Sequence, residues 1–235
     1  MVDRYFLPQL PTGDACELAG AEFHHLAHVM RGSRGERLVV FDGQGIEADA
    51  EIVCISKTSA SLRLADRRSE SPKTRPDVVL ATAVPKADRF RWLVEKATEL
   101  GVDRLIPLQT ARSIVAPGAV KLDKMRQAVI EACKQSGRNR LMPIDSLMSW
   151  NEFVKVVAAN TCTYIADPTG LPLAQVSAGQ SKPAPVLLVV GPEGGLTETE
   201  LRESVDAGAH LVNLGPRILR TETAALALVA ALLLN

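Results

Sequence analysis

The sequence predicts a two-part α/β protein: a small β-rich N-terminal domain, barrel or sandwich, followed by a larger domain on a mostly parallel sheet. Three observations predict it. Short β-patterned runs fill residues 37–64, and after residue 77 continuous apolar runs alternate with amphipathic helices. Between them lies a polar stretch with two prolines, Ser69-Glu70-Ser71-Pro72-Lys73-Thr74-Arg75-Pro76-Asp77, which reads as a linker. The 235 residues suit one large domain or two small ones, and the boundaries are placed at 1–70 and 77–235.

In the first part, Glu22–Arg31 reads as one short helix. Arg37–Phe41 is a strand ending at the hairpin-type turn Asp42-Gly43, and Ala48–Ile55 and Ser59–Leu64 are further short strands. Gly43-Gln44-Gly45-Ile46-Glu47-Ala48 matches the G-x-G-x-x-A dinucleotide pattern, but a strand follows it where that fold needs a helix, so it reads as a turn. In the second part, Val78–Val84 is an apolar run typical of a strand covered on both faces. Asp88 is expected to cap a helix whose apolar face is Phe90, Leu93, Val94, Ala97 and Leu100, stopped by Gly101. Arg104–Gln109 is the next strand and Lys121–Ser136 the next helix. Cys162–Ala166, Val186–Val190 and His210–Leu214 complete the strands. Thr197-Glu198-Thr199-Glu200 is a capping box, and Thr221 is expected to cap a terminal helix.

Composition narrows the function. Apolar residues at 46% and charged residues at 23% exclude a disordered or collagen-like chain. The longest apolar run, Ala224 to Leu234, would span only about 16 Å as a helix, so no membrane span is expected. Cys16, Cys54, Cys133 and Cys162 form no C-x-x-C pair, which argues against a zinc site or disulfide scaffold and for a reducing, cytoplasmic setting. His24 and His28 lie one helical turn apart, yet no further ligand is placed by spacing, so no metal is expected.

The 27 basic and 27 acidic side chains cancel, but unevenly. Residues 63–140 hold 17 basic and 9 acidic groups, whereas residues 1–62 and 141–235 each hold 5 and 9. A basic middle third points to a polyanionic partner, with the cluster Arg63, Arg67, Arg68, Lys73 and Arg75 beside the linker as its core, although any single cation reads as part of a solvated face; Arg112 is a separate candidate for a phosphate clamp. Aromatics at 4% argue against base-stacking platforms, leaving phosphate and shape contacts to dominate.

Ligands of parallel sheets sit beyond the carboxyl ends of the strands. Two glycine loops fall there: Gly191-Pro192-Glu193-Gly194-Gly195, and Leu214-Gly215-Pro216-Arg217-Ile218-Leu219-Arg220-Thr221-Glu222-Thr223-Ala224. Neither is a Walker loop, since no Gly-Lys-Ser/Thr follows.

Taken in order, Lys86-Ala87-Asp88-Arg89, Glu95-Lys96-Ala97-Thr98-Glu99-Leu100-Gly101-Val102, Gln135-Ser136-Gly137-Arg138 and the two glycine loops resemble the RsmE family of the SPOUT superfamily, the small-subunit ribosomal RNA uridine N3-methyltransferases. The match runs over nearly the whole chain, including Arg4-Tyr5-Phe6 and His24-His25-Leu26. This resemblance implies a PUA-like RNA-binding β-barrel, a C-terminal domain with a trefoil knot, and a homodimer. It also implies S-adenosylmethionine as cofactor and, as substrate, a uridine in the decoding region of 16S rRNA within the small ribosomal subunit. Gly191, Glu193, Gly194, Gly195, Leu214, Gly215, Leu219 and Thr223 would then hold the cofactor.

Uridine N3 is a poor nucleophile while it keeps its proton. A site must remove that proton and stabilise the anion spread over O2 and O4. Arg138 and Arg220 are the candidates for stabilising it, and Glu222 for base or orienter; an Arg220–Glu222 ion pair that only stiffens the loop is the competing reading. Two other functions compete. One is a SPOUT enzyme acting on transfer RNA or a ribose 2′-oxygen, and the other is a non-catalytic RNA-binding assembly factor.

Overall fold

The computed structural model describes residues 2–71, 75–114, 121–159, 162–173, 175 and 185–233. Lys73 and Leu234 lie outside the described residues. The chain divides into two compact units, Met1–Pro72 with Ile130–Leu141, and Lys73–Val129 with Met142–Asn235.

The first unit is built on five strands: β1 (Arg4–Phe6), β2 (Ala15–Ala19), β3 (Arg37–Phe41), β4 (Ile46–Ile55) and β5 (Ser59–Ser69). They run in the order β1-β3-β4-β5-β2, with β1 parallel to β3 and the remaining pairs antiparallel. Alternate side chains of every strand enter one core: Tyr5, Leu18, Leu38, Val40, Ala50, Ile52 and Leu62 all belong to it. The period-2 pattern thus bends the sheet round a single apolar centre, each fully buried Leu or Ile contributing about 1.5–3 kcal/mol. The single helix expected over Glu22–Arg31 is a short α-helix, α1 (Gly20–His24), continued by π-helical turns over His25–Met30 and closed by Arg31 in the left-handed conformation at φ 57°.

The G-x-G segment is a hairpin turn, as expected. Asp42 Oδ1 accepts from the Gln44 and Ile46 amides at 2.7 and 3.0 Å. Its glycines serve a close approach by residues 139–141, which belong to the same unit. The Leu141 amide donates to Gly43 O at 2.9 Å and the Gly45 amide to Asn139 O at 3.1 Å. A Cβ on Gly43 would meet Leu141 at 2.7 Å, and one on Gly45 would meet Arg140 at 2.6 Å.

Among the described residues the second unit holds six strands, all in parallel pairs: β6 (Val78–Ala83), β7 (Arg104–Gln109), β8 (Met148–Ser149), β9 (Thr163–Pro172), β10 (Val186–Val190) and β11 (His210–Asn213). Their order is β11-β9-β10-β6-β7-β8. Between and after them in the chain come α2 (Ala87–Leu100), α3 (Leu122–Ser136, which from Ile130 on belongs to the first unit), α4 (Trp150–Ala158), α5 (Glu198–Asp206) and α6 (Thr221–Leu233). Leu187 and Val189 of central β10 pack with Trp150, Phe153 and Val157 of α4, while α6 packs on β10, β6 and α2. Both faces of the central strands are covered, which is why they read as unbroken apolar runs.

Helix α2 begins earlier than expected. Lys86 is its N-cap, and Asp88 sits within the first turn, where a carboxylate is favoured by the helix dipole. Gly101 closes it at φ 92°. The Thr197 capping box is made in full, with Thr197 Oγ1 accepting from the Glu200 amide at 3.2 Å.

Candidate active site

Strands β9, β10 and β11 end at the same edge of the sheet, and one cleft opens beyond them. Gly191, Glu193 and Gly195 line it from the loop after β10; Leu214, Gly215 and Leu219 line it from the loop after β11. Gly195 at φ 71° and Gly215 at φ 111° turn their chains in a region that side chains rarely enter. The loops are tied together and to the sheet. Thr221 Oγ1 donates to Gly191 O at 3.2 Å, so the start of α6 holds the first loop. Asn213 accepts from the Gly215 amide at 2.6 Å and donates to Pro168 O at 2.7 Å, which joins the second loop to the middle of β9. Buried Glu200 takes hydrogen bonds from the Ala111 and Thr197 amides at 2.7 and 2.8 Å, fixing the segment after β7 to the start of α5.

The remaining expected residues fall outside this lining. The Gly194 carbonyl accepts from Arg112 Nη1 at 2.7 Å, so the guanidinium expected to clamp a phosphate is engaged on the first loop. Thr223 is exposed on α6. Arg220 is exposed between Leu219 and Thr221, two lining residues, and makes no ion pair among the described residues. Glu222 is buried, 6% exposed, and the cation beside it is Arg89 at 3.7 Å, not Arg220. Residues two apart at a helix start point to different sides, so the 220–222 pair does not form. Arg138 belongs to the first unit, just after Gly137 at φ 79°, and its Nε donates to Arg140 O at 2.6 Å.

Sequence reasoning missed the third wall of the cleft, Asp167 and Pro168, and also Asn213 and Arg217. The strand-end rule that found the two glycine loops applies equally to Asp167-Pro168, which follows the apolar run Cys162–Ala166. Among the charged side chains lining the cleft are two carboxylates, Asp167 and Glu193, and one guanidinium, Arg217. That balance suits a ligand carrying positive charge and disfavours a pyrophosphate.

The basic strip on β5 is largely neutralised. Cross-strand neighbours pair Arg63 with Glu51 at 2.9 Å, and Arg68 with Glu47 and Asp49 at 3.1 and 2.6 Å. Arg67 donates to the Pro11 and Gly13 carbonyls. The guanidiniums of Arg68 and Arg63 in turn hold the Asp49 and Glu51 carboxyls below their usual range.

Residues 72–233 match the family model described as an RNA methyltransferase domain, and residues 18–65 match an RNA methyltransferase PUA domain. The chain is 31% identical to ribosomal RNA small subunit methyltransferase E of Bacillus subtilis, over 98% of this chain and 96% of that protein. It is 34% identical to the protein of the same name in Mycobacterium bovis, over 94% and 87%. Among solved structures, ribosomal RNA small subunit methyltransferase E from Neisseria gonorrhoeae bound to S-adenosylmethionine is 29% identical, covers 98% of this chain and 96% of its own, and superposes with a TM-score of 0.85.

Proposed function

Because the chain belongs to the ribosomal RNA small subunit methyltransferase E family of RNA methyltransferases, we propose that it methylates N3 of a uridine in the decoding region of 16S rRNA within the assembled small subunit, using S-adenosylmethionine. One observation carries the reading: two glycine loops, far apart in sequence, wall one cleft at the carboxyl edge of three parallel strands. The cofactor fits that cleft chemically. Asp167 and Glu193 match its net positive charge, Leu196 and Leu219 offer apolar surface to an adenine, and the glycines leave main-chain groups within reach.

When bound, S-adenosylmethionine supplies an electrophilic methyl group on a sulfonium. Main-chain groups of Gly191, Gly195, Leu214, Gly215 and Leu219 hold its adenosyl part, with Glu193 at the rim; Gly194 and Thr223, outside the lining, drop out of that set. Glu222 takes the imide proton, and Arg220 stabilises the resulting charge on the uracil oxygens.

The homodimer and the trefoil knot implied by the resemblance have support in this chain. Helix α6 is apolar on every side, and Leu226, Ala227 and Ala230 are not buried within one copy. Strand β10 runs between β9 and β6 before α6 packs back on β10, β6 and α2, an arrangement that fits a threaded C-terminus. A ribosomal substrate sets the place of action in the cytoplasm.

The test uses intact small subunits and naked 16S rRNA with labelled S-adenosylmethionine, followed by mass spectrometry of the nucleosides. We expect 3-methyluridine, formed on assembled subunits in preference to naked RNA. Methyl on a ribose oxygen or on transfer RNA overturns the assignment, as does a chain that binds the cofactor and transfers nothing.

RNA contact should centre on the cleft rim. Arg217 and Arg220 are exposed there without ion-pair partners among the described residues, whereas Arg63 and Arg68 already face carboxylates. In filter binding across salt, R217A/R220A is expected to reduce the slope of log K against log salt by about one to two, since each lost phosphate contact removes roughly 0.7–0.9. Removing Arg63 and Arg68 should reduce it by less than about one on the same scale. The reverse ranking would return the contact to the β5 strip with Arg67, Lys73 and Arg112.

A further inference from the structure

Arg89 stands in the first turn of α2, yet its Nη1 lies 3.2 Å from Glu193 Oε1 and 3.7 Å from Glu222 Oε1. Glu193 belongs to the first glycine loop, and Glu222 opens α6 directly behind the second. One guanidinium is therefore shared by both segments that wall the cleft. The two halves of this contact differ in weight. Arg89 and Glu193 are each about one-third exposed, and such pairs contribute little by themselves. The Glu222 side chain is more than nine-tenths buried, and its second oxygen, Oε2, has no hydrogen-bond partner. A buried carboxylate with an unsatisfied oxygen is costly unless a cation stands beside it. Arg89 is that cation.

We propose that Arg89 is a positioning residue that couples the two loops, so that the cofactor cleft forms as one unit. Neutralising Glu222 keeps the start of α6, and with it the Thr221 bond to Gly191, in place; the same guanidinium draws Glu193 across. Both contacts come from one nitrogen, Nη1, so what matters is the reach that sets a single charged group between the two carboxylates, and the shorter lysine side chain would reproduce that placement only in part. The inference rests on reading the cleft as the S-adenosylmethionine site.

The test combines hydrogen exchange on the full cofactor-free protein with calorimetry using S-adenosylmethionine. In R89A, amides of residues 191–196 and 214–220 should exchange faster together while the strands of the sheet keep wild-type protection, the signature of local loosening. The cofactor dissociation constant should rise about tenfold in R89A and about threefold in R89K, the range of a coupled charge pair. In an E222Q background, where no charge is left to neutralise, adding R89A should weaken binding by less than about threefold. Unchanged exchange in the two loops, affinity within twofold of wild type, or an equal loss in both backgrounds each overturns Arg89's role while leaving the functional reading intact. Wild-type protein that binds no S-adenosylmethionine overturns that reading, and this inference with it.

Discussion

Glu222→Gln is expected to lower methyl transfer by at least about a hundredfold, the low end of what a positioned proton-transfer group contributes, while cofactor affinity stays within about threefold. The substitution keeps the shape of the side chain and removes its capacity to take a proton. The environment of Glu222 suits that task. Its side chain is buried at the first turn of α6, one residue after Thr221 and two before Ala224, both of which line the cleft. One carboxylate oxygen is held near Arg89, and the other is buried beneath the cleft wall with its acceptor capacity unfilled. The pH dependence separates this role from a structural one. If Glu222 removes the proton, the variant's deficit should narrow as pH rises, because hydroxide increasingly supplies the uridine anion. If Glu222 only holds α6, the deficit should be independent of pH and accompanied by a fall in melting temperature. Rates on small subunits measured across pH, beside thermal melts of the same samples, decide between them, and a pH-independent deficit removes Glu222 from the chemistry.

How much of this was legible in the sequence depends on how local each feature is. Strands β6 and β10 were readable because burial on both faces leaves an uninterrupted apolar run, and the Thr197–Glu200 box because its two bonds span three residues. Strands β1 and β2 were not. Arg4–Phe6 owes its strand to parallel pairing with Val39–Phe41, and Ala15–Ala19 owes its own to Ser59–Arg63, partners more than thirty residues away. Strand β5 runs on to Ser69 past the expected end at Leu64, since Arg68 pairs across to Glu47 on an exposed face that carries no apolar signal. The site divides in the same way. Glycines after apolar runs marked two walls. The third wall and the Arg89 tie arise from tertiary placement, as does the union of residues 130–141 with the first unit.

Gly170→Ala is expected to destabilise the protein by about 2–4 kcal/mol, the upper range for overpacking, and to weaken cofactor binding at the same time. The cause lies in how the third wall is made. Along β11, Leu211 pairs with Ile165 and the very next residue, Val212, pairs with Leu171, so residues 166–170 of β9 are looped out between the two registers. That excursion carries Asp167 and Pro168 to the cleft, and Gly170 brings the chain back. A Cβ on Gly170 would lie 2.4 Å from Leu211 C and Val212 N and 2.6 Å from Leu211 O. All three are backbone atoms, so no rotamer change can relieve the contact, and β11 must move away from β9. Asn213 then loses its hold on the Pro168 carbonyl, which unfastens the second glycine loop from β9 while the local bond to the Gly215 amide travels with it, and this is why affinity should fall together with stability. For a chain of this size the melting temperature should drop by roughly 5–15 °C. Gly13→Ala is the control: a Cβ there meets nothing within 4 Å, and the expected change is within about 0.5 kcal/mol. Gly137→Ala separates strain from collision, because φ is 79° but the space is open, and about 1 kcal/mol is expected from the backbone alone. A melting temperature for G170A no lower than that of G137A would mean that β9 and β11 do not approach as closely as this register requires, and the third wall of the cleft would have to be redrawn.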